Sequence, residues 1–260
     1  MAKLQCMAKI TAVTEIAEGI FSMWLLVPEI ASQAVSGQFI SLYCENKDTL
    51  LPRPISLCEI NREEGTLRIV FRVVGAGTLE FSQKNAGEEI RVLGPLGNGF
   101  PVSECQTGKK AVLIGGGIGI PPLLQLSKEI PGEVTVVLGY RNADTFLLQE
   151  LEKAAQRVVV ATEDGSIGTK GNVIDAIRGE KIQGDVIYSC GPTPMLRGVK
   201  AWGLEENVPA WLSLEEKMAC GIGACLACVC QSTDVDNHSK VHNKRICKDG
   251  PVFLSTEIEL

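Results

Sequence analysis

Ala111-Val-Leu-Ile-Gly115-Gly-Gly-Ile-Gly119-Ile-Pro-Pro122 decides how the rest of this 260-residue chain is read. Its apolar start suits a buried strand, and its glycines suit a tight turn. The paired prolines suit the first turn of a helix, where a missing N–H leaves nothing unsatisfied. An apolar-periodic run then continues through Ile130. Strand, glycine turn and helix form the βα unit that turns backbone N–H groups toward a phosphate. The run departs from G-x-G-x-x-G and no Walker lysine follows it, so alone it speaks for a fold more than for a ligand.

Toward the C-terminus, strands continue to alternate with helices, with Val134–Leu138, Val158–Thr162 and Val186–Cys190 as further buried strands. The last runs into Cys190-Gly191-Pro192-Thr-Pro-Met195, at the carboxyl end where open α/β sheets bind ligands. Gly191 would let a flat ring approach the backbone, with Cys190 beside it. Out of that context Cys190 reads as a buried core thiol. Glu163 and Asp164, just after a strand, suit a ribose hydroxyl and favour NAD over NADP.

Upstream the periodicity is of another kind. Cys6–Ile16, Ile20–Leu26, Gln38–Cys44, Ile55–Asn61, Thr66–Val73 and Glu89–Leu93 read as short strands broken by Gly and Pro. Many short strands without helices between them predict a closed antiparallel barrel. Arg53-Pro54-Ile55-Ser56 sets a cation and a hydroxyl on a proline-stiffened turn. The guanidinium fork suits a pyrophosphate and the hydroxyl a ring nitrogen. Gly75-Ala76-Gly77-Thr78 offers either a nest of N–H groups, with Thr78 as a further donor, or a plain hairpin or helix start. Gly94-Pro95-Leu96-Gly97-Asn98-Gly99-Phe100 is a rigid connector that ends the barrel.

Near the C-terminus, Cys220-Gly-Ile-Gly-Ala-Cys225-Leu-Ala-Cys228 is answered by a distant Cys247. C-x4-C-x2-C with a remote fourth cysteine is the plant-type [2Fe–2S] arrangement. Gly221 and Gly223 let backbone N–H groups turn toward sulfur. Cys230 competes with Cys228 as third ligand, and Cys228 restores the spacing. Cys225, Cys228, His238 and His242 also outline a structural zinc site. That reading leaves Cys220 and Cys247 unused, and its spacer is shorter than the roughly 12 residues usual. A redox pair at Cys225 and Cys228 lacks a surrounding thioredoxin-like βαβ pattern. Cys6, Cys44, Cys58 and Cys105 sit among apolar neighbours and read as small buried hydrophobes.

Hydrophobic residues at 45% with 22% charged describe a globular chain, and a net charge of −6 gives no footing for nucleic acid or an anionic membrane. Met1-Ala-Lys-Leu-Gln5 begins without a signal core, and the most apolar stretch is broken by glycines and prolines. The expected location is therefore the cytoplasm, where thiols stay reduced.

Taken in order, Arg53 to Ser56, Gly75 to Thr78, Gly115 to Gly119 and Cys190-Gly-Pro192 resemble the ferredoxin–NADP reductase superfamily. The resemblance implies a mixed β and α/β architecture in three parts. An antiparallel FAD-binding β-barrel over 1–101 precedes an NAD-binding α/β domain over 102–212, and a small Cys-rich [2Fe–2S] tail occupies 213–260. It implies that Arg53, Pro54, Ile55 and Ser56 hold the FAD pyrophosphate and isoalloxazine. Val70, Phe71 and Arg72 would line the flavin by backbone and side chain, and Gly77 and Thr78 would bind its phosphates. Gly115, Gly116, Gly117 and Gly119, with Cys190 and Gly191, would receive NAD. Cys220, Cys225, Cys228 and Cys247 would ligate the cluster.

The stretch from Leu212 to Cys228, with Arg245 to Phe253, narrows the likeness to the electron-transfer subunits of dihydroorotate dehydrogenase B. That family implies an FMN-containing catalytic partner that oxidises dihydroorotate in pyrimidine biosynthesis, two chains of each kind. Electrons would cross the cluster to FAD and leave as hydride to NAD⁺, with no catalytic acid or base on this chain. The same layout is similar to the small subunit of an NADH-dependent ferredoxin:NADP⁺ oxidoreductase or sulfide-dehydrogenase-like complex, for which a carboxylate in place of Cys247 would speak. A tail of 48 residues is too small to bury a cluster alone, and a partner chain is expected to supply much of its cover.

Overall fold

The computed structural model describes residues 3–46, 48–235 and 240–260. Strands that alternate apolar and polar residues must bury one face, and the first six do so by closing on themselves. They are β1 (Leu4–Ala17), β2 (Ile20–Leu26), β3 (Phe39–Leu42), β4 (Arg53–Asn61), β5 (Thr66–Arg72) and β6 (Glu89–Leu96). Their order is β1-β2-β5-β4-β3-β6, every pair antiparallel, with β6 returning to β1. Ile10, Met23, Ile40, Leu42, Leu67 and Phe71 fill the barrel. Alternation sends Phe39 and Ser41 of β3 outward, and Phe39 joins Leu96 in a core shared with the C-terminal half. Two short helices, α1 (Pro28–Ala31) and α2 (Ala76–Ser82), decorate the barrel.

The second half is a sheet in the order β10-β9-β8-β7-β11-β12-β15. Its members are β7 (Lys110–Gly116), β8 (Glu133–Tyr140), β9 (Arg157–Thr162), β10 (Thr169–Lys170), β11 (Val186–Cys190) and β12 (Ala210–Ser213), all parallel. The helices α3 (Pro121–Glu129), α4 (Leu148–Ala154), α5 (Val173–Gly179) and α6 (Thr193–Glu205) connect them. Pro121 and Pro122 open α3 as the sequence requires. Arg68 ties the two halves: it is 8% exposed, bonds Glu59 Oε2 at 2.7 Å on β4 and reaches Glu150 on α4. Gln125 of α3 accepts the Ile60 N–H at 2.8 Å, and Tyr188 donates to Pro101 O at 2.9 Å. The cleft between barrel and sheet therefore has fixed walls.

The tail is not an appendage. Besides the hairpin of β13 (Val229–Gln231) and β14 (Asn243–Arg245), it supplies β15 (Val252–Leu254), which runs antiparallel to β12 and extends the sheet. Asn98 on the barrel connector donates to Asp249 O (3.1 Å) and Val252 O (3.0 Å) and accepts from Val252 N (3.1 Å). Met218, Cys228, Ile246, Cys247 and Phe253 share one core with Phe39 and Leu96. Much of the burial of the tail is thus supplied by this chain's own sheet half, with Phe39 and Leu96 of the barrel. His238 lies outside the described residues.

Candidate cofactor cleft and iron–sulfur site

A cleft of about 680 Å³ runs between barrel and sheet. Along β4, Arg53, Pro54, Ile55 and Ser56 border it, and along β5 Val70, Phe71 and Arg72 do so. The Phe71 ring turns into the barrel, 6.1 Å from Phe21, so what Phe71 offers the cleft is main chain. Gly77 stands behind Arg53: a Cβ there would lie 2.8 Å from Arg53 Nε and 3.0 Å from Cys44 Sγ. Only glycine lets the guanidinium lie across the start of α2.

Of the two readings of Gly75-Ala76-Gly77-Thr78, the helix start is the one observed. Thr78 also borders the cleft, but its hydroxyl is engaged. It accepts from Val74 N (2.9 Å) and Gly75 N (3.2 Å) and donates to Gly75 O (3.1 Å). The first-turn N–H groups of the helix have no intrahelical acceptor, and these remain for an anion.

The four glycines at and just after the end of β7 separate by role. A Cβ at Gly115 would meet Leu123 Cδ1 at 2.7 Å, and one at Gly116 would meet Met195 Sδ at 2.6 Å. Both glycines serve close helix–strand packing. Gly117 has φ +52° and no neighbour within 4 Å of its would-be Cβ. Gly119 presses against the end of β11, 2.3 Å from Cys190 O by the same measure, and of the four it alone borders the cleft. Cys190 and Gly191 border it too. Burial pushes the Cys190 thiol up to about 12 against a hydrogen bond with Ser213, so the sulfur is neutral.

A third wall escaped sequence reading: Ser213, Leu214, Glu215, Glu216, Lys217 and Met218. The signal was available, because these residues follow the carboxyl end of β12 as Cys190 ends β11, and ligands gather at that edge. Desolvation beside Glu216 holds Glu215 above the usual carboxylate range. Glu163 and Asp164 do not border this cleft. Asp164 accepts from Ser166 Oγ (2.7 Å) and N (2.9 Å), which lowers its carboxyl pKa.

The cysteine loop is shaped by left-handed residues: Gly221 (φ +66°), Gly223 (φ +80°) and Leu226 (φ +59°). Cys220 Sγ accepts from Ile222 N at 3.4 Å and Ala224 N at 3.3 Å. Desolvation opposes ionisation of Cys220, but the N–H groups of Ile222, Cys225 and Ala224 with the Cys225 thiol bring it down to about 6. Cys247 N donates to Cys228 Sγ at 3.4 Å, and burial with the neighbouring Cys228 pushes Cys247 up to about 12. Cys220 thus has Cys225 beside it and Cys247 has Cys228, while Cys220 is also close enough to Cys247, and Cys228 to Cys230, to raise their thiols. A mononuclear zinc takes four ligands at one point, and one of the four that the sequence outlines for it, His238, lies outside the described residues. Two irons each taking two thiolates need only the pairs. Cys230 is half-buried on β13 near Cys228, and His242 Nδ1 lies 3.1 Å from Thr233 O.

Barrel, parallel sheet and shared cleft define a reductase of the ferredoxin–NADP reductase class. A ferredoxin NADP⁺ reductase from Neisseria gonorrhoeae, with bound FAD and NADP, has the same fold (TM-score 0.65, 18% identity, 78% of this chain and 91% of that one). The structure of the NADH-dependent reduced ferredoxin-NADP oxidoreductase superposes over 98% of this chain and 90% of that one, with TM-score 0.85 and 32% identity. Residues 215–259 match the iron–sulfur cluster binding domain of dihydroorotate dehydrogenase B, and residues 113–201 match the oxidoreductase NAD-binding domain. The electron transfer subunit of dihydroorotate dehydrogenase B (NAD(+)) from Listeria monocytogenes serotype 4a is 44% identical over 99% of this chain and all of that one. The Bacillus caldolyticus counterpart is 41% identical over 94% of this chain and 95% of that one. The chain belongs to this family of electron transfer subunits and is a component of an oxidoreductase.

Proposed function

We propose that this chain carries electrons between a dihydroorotate-oxidising catalytic subunit and NAD⁺, with FAD in the cleft and one [2Fe–2S] cluster on Cys220, Cys225, Cys228 and Cys247. The observation that carries the reading is the cleft itself. It borders the Arg53–Ser56 start of β4, the Gly119 and Cys190 edge, and the Ser213–Met218 stretch that leads into Cys220. Held there by the Arg53–Ser56 strand and the start of α2, FAD would supply the chemistry that links two-electron traffic with nicotinamide to one-electron traffic with a cluster.

The chain's own residues bind and orient. Arg53 presents its fork to the pyrophosphate, and Ser56 its hydroxyl to the flavin ring. The main chain of Val70, Phe71 and Arg72 lies along the ring, while Gly77 and Thr78 give N–H groups to phosphate. Gly117 and Gly119 form the turn over which NAD(H) enters, and Gly115 and Gly116 at the end of β7 let α3 and α6 pack close beneath it. Gly191 admits the nicotinamide beside the neutral Cys190 thiol, which holds no charge against the transferred hydride. Left-handed Gly221 and Gly223 aim N–H donors at the Cys220 side of the cluster.

The division 1–101, 102–212 and 213–260 follows these roles. The catalytic partner is FMN-containing, in a complex of two chains of each kind, working in pyrimidine biosynthesis in the cytoplasm. Exposed Ile222, Leu226 and Val229 beside the cysteines support a partner at that rim. No helix among the described residues is long and apolar enough to cross a membrane. A second reading, the small subunit of an NADH-dependent ferredoxin:NADP⁺ oxidoreductase, draws on the TM-score of 0.85, while the cysteine at 247 speaks for the first.

Iron, sulfide and flavin analysis with an anaerobic visible spectrum tests the proposal. About two irons and two sulfides per FAD are expected, both chromophores bleaching with NADH. Zinc without flavin would overturn it.

A further inference from the structure

We infer that Ser41 tunes the iron–sulfur centre, its hydroxyl donating to a sulfur of the cluster held by the Cys220–Cys228 loop. The inference rests on the cysteines binding that cluster as proposed above.

Ser41 has no solvent exposure, and its Oγ has no hydrogen-bond partner among the described residues. Buried hydroxyls are nearly always paired, so an orphan needs an acceptor that arrives with something else. The flavin cleft does not supply one, because Ser41 is absent from its walls. Its side chain lies on the outer face of β3 with Phe39, the face that packs toward Leu96, Cys228 and Cys247. The cysteine loop is what lies over it. A Cβ built on Gly221, next to Cys220, would meet Leu96 Cδ1 at 3.2 Å and Ser41 Oγ at 3.3 Å. Ile222 N and Ala224 N already serve Cys220 Sγ from the loop itself. Ser41 is the polar group offered from the barrel side, on a floor otherwise made of apolar side chains.

A hydrogen bond to cluster sulfur stabilises the more negative, reduced state, so removing the donor lowers the reduction potential. The test uses the full chain with its catalytic partner. Ser41→Ala and Ser41→Thr are compared with wild type by EPR-monitored redox titration of the cluster and optical titration of FAD. Ser41→Ala is expected to shift the cluster to lower potential and leave FAD unmoved, with Ser41→Thr near wild type. An unchanged cluster potential in Ser41→Ala, or an equal shift in FAD, overturns the inference. Should Ser41→Ala shed its cluster, the isosteric pair Ser41→Thr and Ser41→Val isolates the hydroxyl. Loading in Thr but not Val supports the inference, and loading in both at one potential overturns it. Wild-type protein that loads no cluster with its partner would fail the underlying reading instead, which iron and sulfide analysis reports separately.

Discussion

Replacing Gly119 with alanine forces two backbones apart. The new Cβ would stand 2.3 Å from Cys190 O, 2.4 Å from Cys190 C and 2.5 Å from Gly191 N. Ordinary contact begins near 3.4 Å, so the glycine turn and the end of β11 must separate by about 1 Å. Neither side is a flexible side chain. Cys190 is held in register with Gly115 on one neighbour and Ser213 on the other. Overpacking of this kind costs roughly 1–3 kcal/mol of stability. A shift of about 1 Å in the geometry of a reacting pair costs on the order of 10² in rate. Stopped-flow bleaching of FAD by NADH is expected to slow about 100-fold in Gly119→Ala, with FAD and iron content retained and a lower unfolding midpoint. Gly117→Ala is the matched control. Its φ of +52° adds strain of roughly 1–2 kcal/mol, but its Cβ meets nothing. Its limiting rate should stay within a few-fold of wild type. Wild-type bleaching in Gly119→Ala, or equal damage in Gly117→Ala, would refute the separation of roles among the four glycines.

Other perturbations address the remaining parts. Cys228→Ser should lose iron and sulfide while keeping FAD and its bleaching by NADH, and Cys230→Ser should keep all three; the reverse result would make Cys230 the ligand. Arg53→Lys keeps the charge and loses the fork, so FAD affinity in a fluorescence titration should fall about tenfold, roughly 1.4 kcal/mol. Asn98→Ala removes three hydrogen bonds to the tail. At about 0.5–1.5 kcal/mol each, reduced because the connector is wet, a loss near 2 kcal/mol in urea unfolding is expected. Burial raises the thiols of Cys58 and Cys190, the latter to about 12. Unfolded thiols ionise near 8.5, so this contribution is complete at lower pH and is lost as pH climbs through the folded value. Unfolding stability should therefore decline from about pH 9 upward, and Cys58→Val should flatten part of that limb. An unchanged limb would show that Cys58 does not supply it.

Legibility followed the range of the interactions involved. β2 was read to the residue and β11 likewise, because alternation and apolar runs are properties of the strand itself. The ends of β4 and β6 were read short: Arg53 and Pro54 pair with Leu42 and Ser41, a contact that strand-period reasoning does not see. At helix α2 the sequence leaves nest and helix start open, because glycines stand at its N-cap and second residue and the hydroxyl that caps it comes from Thr78, three residues after Gly75. β15 is invisible to strand-period reasoning, since three residues of tail become a strand only when β12 is there to receive them. At the site, cysteine spacing carried the cluster and motif order carried the cleft. The Ser213–Met218 wall carries no motif, and only the shared edge of β11 and β12 identifies it.

The tail's dependence on the barrel changes what its exposed residues mean. Were the partner the main source of burial, the cysteines themselves would stand open in this chain. Cys228 and Cys247 are instead 2% and 1% exposed, closed in by Phe39, Leu96 and Phe253. What stays open is the opposite pair's side, with Cys225 exposed and Ile222 and Leu226 about it. The proposed cluster would thus be held by two buried cysteines, Cys228 and Cys247, and by two nearer the surface, Cys220 and Cys225. An electron relay needs that asymmetry, with one face fixed at its own redox partner and the other accessible to a second protein. Ser41 reaches the loop from beneath, at Gly221 beside Cys220, and with no solvent exposure of its own it is out of reach of a docking surface. Leu226, held at φ +59° on the open side, is kept in a conformation that costs a non-glycine residue about 1–2 kcal/mol. The loop therefore retains an apolar side chain at its rim where glycine would be cheaper, which is the economy of a surface built to be covered.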